Sequence, residues 1–148
     1  MDGLVAFDLA TPAQVFSLAA DANGTPLYEF SCCSLGADRV DTTTGFAVEP
    51  GAGLEALAKA QTIVVPGYVA VLEPPPEPVI AALHSAADRG ARIISVCTGS
   101  FALAYAGLLD GRQAQAPIEC RRVRGDLEDL SGQATTVLPR YRDVVCFT

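Results

Sequence analysis

The sequence predicts an α/β layer fold with a mainly parallel sheet, on three observations. Thr62 to Val65 is a continuous β-branched run and Arg92 to Val96 reads as a second strand of the same kind, both as expected of strands buried in a sheet. Each is closed by turn residues, Pro66-Gly67 after the first and Cys97-Thr98-Gly99-Ser100 after the second. A helical pattern, residues 79–89, separates them. The chain has 148 residues, 50% apolar and 18% charged, which fits one globular core and excludes a disordered chain.

Taken in order, Thr11-Pro12 announces the first helix as a capping side chain followed by proline, with Val15, Phe16 and Ala19 on one apolar face and a stop near Asn23-Gly24. Residues 28–35 are rich in strand formers, and 40–44 with 46–48 read as a short strand pair divided at Gly45. A short helix is expected over 54–60. The proline cluster from Glu73 to Pro78 suits neither helix nor central strand and reads as a rigid loop rather than a polyproline ligand. Gly90 ends the next helix. After the second buried strand, a small-residue helix runs through Phe101, Leu103 and Ala104 to Gly107.

Acids outnumber bases 17 to 10, a net charge of -7, which argues against a surface that binds nucleic acid as a whole. The imbalance is local: residues 1–111 carry 12 acids against 4 bases, whereas 112–148 carry 5 acids against 6 arginines. Met1-Asp2-Gly3 lacks the basic start of a signal peptide, and the longest uncharged stretch, residues 93–109, is broken by Ser95, Thr98, Gly99, Ser100 and Gly107. A cytoplasmic protein without a membrane span is expected. The cysteines at 32, 33, 97, 120 and 146 have no metal-type spacing and are odd in number, so thiols are expected rather than disulfides or a metal site.

Chemistry points to Ser95-Val96-Cys97-Thr98-Gly99. Its form is that of a nucleophile elbow, a buried strand turning sharply into a helix with the turn residue pushed to the sheet edge. Amides at a helix start favour a thiolate there. By pattern alone a reactive thiol and an inert buried cysteine stand equally.

The block Ile94 to Phe101, continued by Leu103-Ala104 and 106–112, resembles the cysteine block of the ThiJ/PfpI superfamily, and more narrowly the class I glutamine-amidotransferase-like domain of GlxA-type, AraC-family transcriptional regulators. Three further blocks agree in order: residues 7–12 with Val15-Phe16, residues 44–46 leading to 53–57, and 64–67. The resemblance implies a flavodoxin-like sheet with helices on both faces, a homodimer, an unidentified small-molecule ligand and no cofactor. It matches Cys97 to the elbow cysteine and Asp8 to the acid of isonitrile-hydratase-like members. A carboxyl group facing a thiolate can share its proton, hold it, or act as general acid or base; without the resemblance Asp8 reads as a helix-start acid. Gly67 and the Thr98 amide fall where the family places backbone donors toward substrate.

The departures weigh as much. Pro117 stands where the family has a histidine, and His84, the sole histidine, reads as structural on the helix before the elbow strand. Residues 1–112 are therefore assigned to an incomplete ThiJ/PfpI-like domain. Residues 113–148 form a tail without likeness, solvated, unstructured or read out of frame, whose Arg121, Arg122, Arg124, Arg140 and Arg142 come with no helix-turn-helix pattern and no direct nucleic-acid contact. Family members also begin with a central apolar strand ahead of the turn that is here Asp2-Gly3, so the first strand is expected to be missing and its neighbours unpaired. Functionally, a sensor domain lacking its DNA-binding half is expected first. A stand-alone cysteine-dependent hydratase or hydrolase using Cys97 and Asp8 is second, and a gene remnant third.

Overall fold

The computed structural model describes residues 3–36, 39–110 and 143–147; of the last five, Cys146 is the one whose side chain is described. The first helix, α1, spans Ala6–Leu18, five residues earlier at its start than Thr11-Pro12 signalled. Pro12 lies inside it, and the Thr11 hydroxyl donates to the Phe7 carbonyl at 2.8 Å instead of capping. The misreading has a physical cause: the helix buries Asp8, Leu9 and Pro12, a face containing an acid that an apolar pattern does not reveal. Because proline has no N–H, the Asp8 carbonyl four residues back loses its helical donor. Of the expected apolar face, Phe16 packs edge-on against Tyr28 at 5.0 Å, while Val15 is exposed.

Strands follow as β1 (Glu29–Cys33), β2 (Val40–Asp41), β3 (Ala47–Val48) and β4 (Thr62–Val65), with a 3-10 turn at Leu54–Ala58 where a short helix was expected. β2 and β3 form an antiparallel pair, and Gly45 between them has φ +88°, a conformation open to glycine at little cost. Helix α2 (Glu77–Asp88) takes Pro78 into its first turn, so the proline loop is shorter than read. β5 (Arg92–Ser95) leads through a 3-10 turn, Cys97–Gly99, into helix α3 (Ser100–Tyr105). No helix among the described residues is long and apolar enough to cross a membrane.

The main sheet has the order β1, β6, β4, β5, all parallel, where β6 is Asp143–Phe147. The place expected to stand empty is thus filled. β1 pairs with β6 from Glu29 opposite Asp143 to Cys33 opposite Phe147, and β4 pairs with it from Thr62 opposite Val144 to Val64 opposite Cys146. The neighbours of the missing first strand are not left unpaired, and the strand that pairs them comes from the stretch expected to be tail. Residues 111–142, which include Pro117 and most of the arginines, lie outside the described residues.

Alternation along the strands divides the core into two layers. Ile63, Val65 and Cys33 face a cluster with Val79, Leu83, Ala86, Phe101 and Leu103, which is the side of α2 and α3. Val64 and Cys146 face Leu4 and Leu9, with Phe16, Cys32 and Ile94 packed around them, which is the side of α1. Helices therefore cover both faces. Ile63, Val64 and Val65 are each at most 1% exposed, and such burial contributes about 1.5–3 kcal/mol per side chain. β5, expected to be buried in the sheet, is half-buried because it ends the described strand order.

Candidate functional site

Three chain turns meet at the carboxyl ends of β4 and β5, where ligands sit in open parallel sheets. The first is the turn after β5. Cys97 has φ +53°, the one described non-glycine residue with positive φ, and its side chain is exposed. A left-handed residue with a Cβ costs about 1–2 kcal/mol, so the surroundings must hold it there.

They do so through close packing and paired hydrogen bonds. A Cβ on Gly99 would collide with the Val65 carbonyl and lie 2.8 Å from the Pro66 carbonyl oxygen, so only glycine lets this turn press against the end of β4. The Thr98 hydroxyl accepts from the Tyr68 N–H at 2.9 Å and donates to the Tyr68 carbonyl at 2.8 Å, clamping the two turns together. Val96 N–H donates to the Val65 carbonyl at 2.9 Å, and the Ser100 hydroxyl to the Cys97 carbonyl at 3.2 Å.

The second turn is Pro66-Gly67 after β4, and the third is the lead-in to α1, tied to it by the Val5 N–H donating to the Gly67 carbonyl at 2.9 Å. Gly67 is the point of convergence. The space a side chain would need there is taken by the Asp8 Oδ2, the Thr98 hydroxyl 2.9 Å away and the Cys97 Cβ 3.3 Å away. The structure thus brings Asp8, Gly67, Cys97 and Thr98 into one cluster from three segments of chain. The Gly67 N–H makes no backbone hydrogen bond to another described residue.

Asp8 is 7% exposed, and its Oδ2 has no hydrogen-bond partner among the described residues. A buried carboxyl oxygen without a donor is unfavourable, by roughly 1–3 kcal/mol or more, unless it carries a proton or meets a donor. The other described thiols are less exposed than that of Cys97. Burial pushes the Cys32 thiol up, the Cys33 thiol up to about 12 with Cys32 and Glu55 adding, and the Cys146 thiol up as well, so all three are protonated at neutral pH. His84 is exposed on α2, away from that helix's buried positions Val79, Leu83 and Ala86. No group of three or more His, Cys, Asp or Glu side chains that could hold a metal ion occurs among the described residues.

Two features escaped the sequence. One is the Thr98 side chain: its amide was expected to matter, whereas its hydroxyl locks the turns. The other is Tyr68, 3% exposed with a hydroxyl that has no hydrogen-bond partner among the described residues; burial, with Tyr105 adding, pushes its phenol up to about 12. The Pro-Gly-Tyr run gives no sign of either contact.

Comparison with known proteins gives consistent matches. The model of the DJ-1/PfpI family matches residues 1–138. A Streptomyces lividans protein described as "Uncharacterized protein in cpoL 5'region" is 40% identical over 114 residues, 76% of this chain and 79% of that protein. The HTH-type transcriptional regulator GbdR of Pseudomonas aeruginosa is 31% identical over 120 residues, 81% of this chain but 33% of the regulator. No solved structure matches the chain.

Proposed function

The chain belongs to the DJ-1/PfpI family, and from that premise we propose that it is the ligand-sensing, regulatory domain of a GlxA/AraC-type transcriptional regulator. The observation that carries this reading is the 31% identity to GbdR, an HTH-type transcriptional regulator of which the chain spans about one third. In this reading the convergence at Gly67 is the ligand site. The N–H groups of Gly67 and Thr98 receive an acceptor on a small molecule, Asp8 receives a donor, and Cys97 lines the opening as part of a nucleophile elbow. The protein acts in the cytoplasm as a homodimer, for which Phe7, Val15 and Leu18, all exposed on α1, offer an apolar stripe. DNA contact belongs to another chain segment, not to these residues.

A second reading is favoured by one specific feature, the Asp8 Oδ2, without a partner among the described residues, meeting the exposed Cys97 at Gly67. It is a cysteine-dependent hydratase or hydrolase in which the Cys97 sulfur adds to an electrophilic carbon, Asp8 passes the thiol proton to the substrate, and water then displaces the sulfur, releasing product and restoring the thiol.

One experiment separates the two. The purified chain is melted against a panel of small metabolites, and each stabilising compound is then assayed for turnover. A compound that raises the melting midpoint and is recovered unchanged supports the sensor. A compound consumed by the wild-type chain and spared by Cys97→Ala or Asp8→Asn overturns it in favour of the enzyme.

A further inference from the structure

Three of the four described cysteines lie in two adjacent strands, Cys32 and Cys33 in β1 and Cys146 in β6. The register decides which of them meet. Successive residues of a strand face opposite sides of the sheet, so Cys33 belongs to the layer of α2 and α3, with Ile63 and Val65, and points away from the other two. Cys32 and Cys146 both belong to the layer of α1, with Leu4, Leu9 and Val64. They are also direct partners in the parallel pairing of β1 with β6, so the row across this face reads Cys32, Cys146, Val64, Ile94. Neighbouring strands run about 4.8 Å apart, within the roughly 4.4–6.8 Å that the Cα atoms of a disulfide span. Joining these two sulfurs calls for side-chain rotation, not for a new backbone path.

The two thiols are unequally placed. Cys146 is 0% exposed in a strand flanked on both sides, whereas Cys32 is half-buried in β1, which ends the described strand order. A small oxidant therefore reaches Cys32 first, by local opening of the end strand, with Cys146 already beside it. Burial pushes both thiols up, so the reaction is slower than that of an exposed thiol such as Cys97.

We propose that Cys32 and Cys146 form a redox modification site, at which a hydroperoxide converts the pair to a disulfide that fastens β6 to β1. The Cys32 sulfur attacks the outer oxygen of the peroxide and the O–O bond breaks, giving a sulfenic acid and the alcohol, or water from hydrogen peroxide, which leaves with the thiol proton. The Cys146 sulfur then attacks the Cys32 sulfur; the S–S bond forms as the S–O bond breaks, and the oxygen leaves as water with the Cys146 proton. Two electrons pass from the thiols to the peroxide. The site stands apart from the cluster at Gly67 and does not depend on what binds there. Its effect reaches that cluster through packing, because Cys146 lies against Leu4 and Leu9, at the start of the helix that carries Asp8.

Full-length protein, reduced and then treated with hydrogen peroxide, tests this. After the remaining thiols are blocked, peptide mass spectrometry without reductant should show Cys32 joined to Cys146 within one chain, and dithiothreitol should restore both thiols. The melting midpoint should rise by about 4 °C or more on oxidation and fall back on reduction, because the bond closes most of the chain into a loop. Both results should persist in Cys97→Ala, which removes the exposed thiol. The rise should vanish in Cys146→Ala, or in Cys32→Ala, changed at the less buried member, should the first variant fail to melt cooperatively. Cys32 and Cys146 recovered unlinked, or joined instead to Cys33, Cys97 or Cys120, overturn the proposal, as does a linked chain whose midpoint does not rise.

Discussion

The left-handed backbone at Cys97 makes a prediction whose sign is opposite to ordinary experience with glycine. Cys97→Ala keeps the Cβ and with it the cost of φ +53°, about 1–2 kcal/mol, whereas Cys97→Gly removes that cost. Glycine brings a penalty of its own, roughly 0.5–1 kcal/mol of extra freedom in the unfolded chain. Since Cys97 is exposed, loss of its sulfur removes little packing in either variant. The difference leaves Cys97→Gly more stable than Cys97→Ala by about 0.5–1 kcal/mol, or some 1–4 °C in midpoint for a chain of this size. Urea unfolding by linear extrapolation, with thermal melts beside it, reads the difference. The same pair of changes at Cys32, in the extended strand β1, supplies the contrast, with glycine expected below alanine. If glycine is also the less stable of the two at Cys97, the strain assigned to this turn is absent and the reasoning fails.

Other predictions follow from the same contacts. Gly99→Ala forces a Cβ against two backbone carbonyls that cannot swing aside, so a loss of about 1–3 kcal/mol or more is expected in denaturant melts. Gly67→Ala should also destabilise, but its effect should shrink when Asp8 is shortened to alanine, with a coupling of about 0.5–3 kcal/mol in a double-mutant cycle; strict additivity would mean that Asp8 does not fill that space. Burial holds the Tyr68 phenol up to about 12 against an ordinary 10.0, so the unfolded chain releases this proton first and stability is lost as pH rises from 10 toward 12. Tyr68→Phe should therefore lessen the loss of stability in that window and cost little at pH 7, where it removes a hydroxyl without a partner among the described residues; an unchanged alkaline profile would contradict this.

Much of the fold was legible where local residues decide it. Thr62 to Val65 reads as a doubly buried strand because four β-branched residues end at Pro-Gly, and Gly45 marks a turn because few other residues tolerate its φ. The position of Cys97 at a strand-to-helix turn was equally local. What failed to show depends on distant partners. The start of α1 was obscured because its buried face contains Asp8 and Pro12, residues that sequence patterns assign to a cap. Strand β6 was hidden for a related reason: Val144 to Phe147 is apolar but too short and isolated to signal burial, and it gains strand identity only from β1 and β4, many residues away.

That dependence bears on how the site is held. Cys97 retains a costly conformation only while Gly99 presses on the Val65 and Pro66 carbonyls and Thr98 grips both backbone groups of Tyr68. All of these contacts are made to the end of β4. β4 in turn is fixed from one side by β5, which carries the cysteine, and from the other by β6, whose packing against Leu4 and Leu9 also seats the helix that delivers Asp8. The acid and the thiol are thus positioned through a single strand. A change that loosens β6 should disturb the Asp8 to Cys97 geometry without touching either residue, and the cluster at Gly67 follows the sheet as one unit.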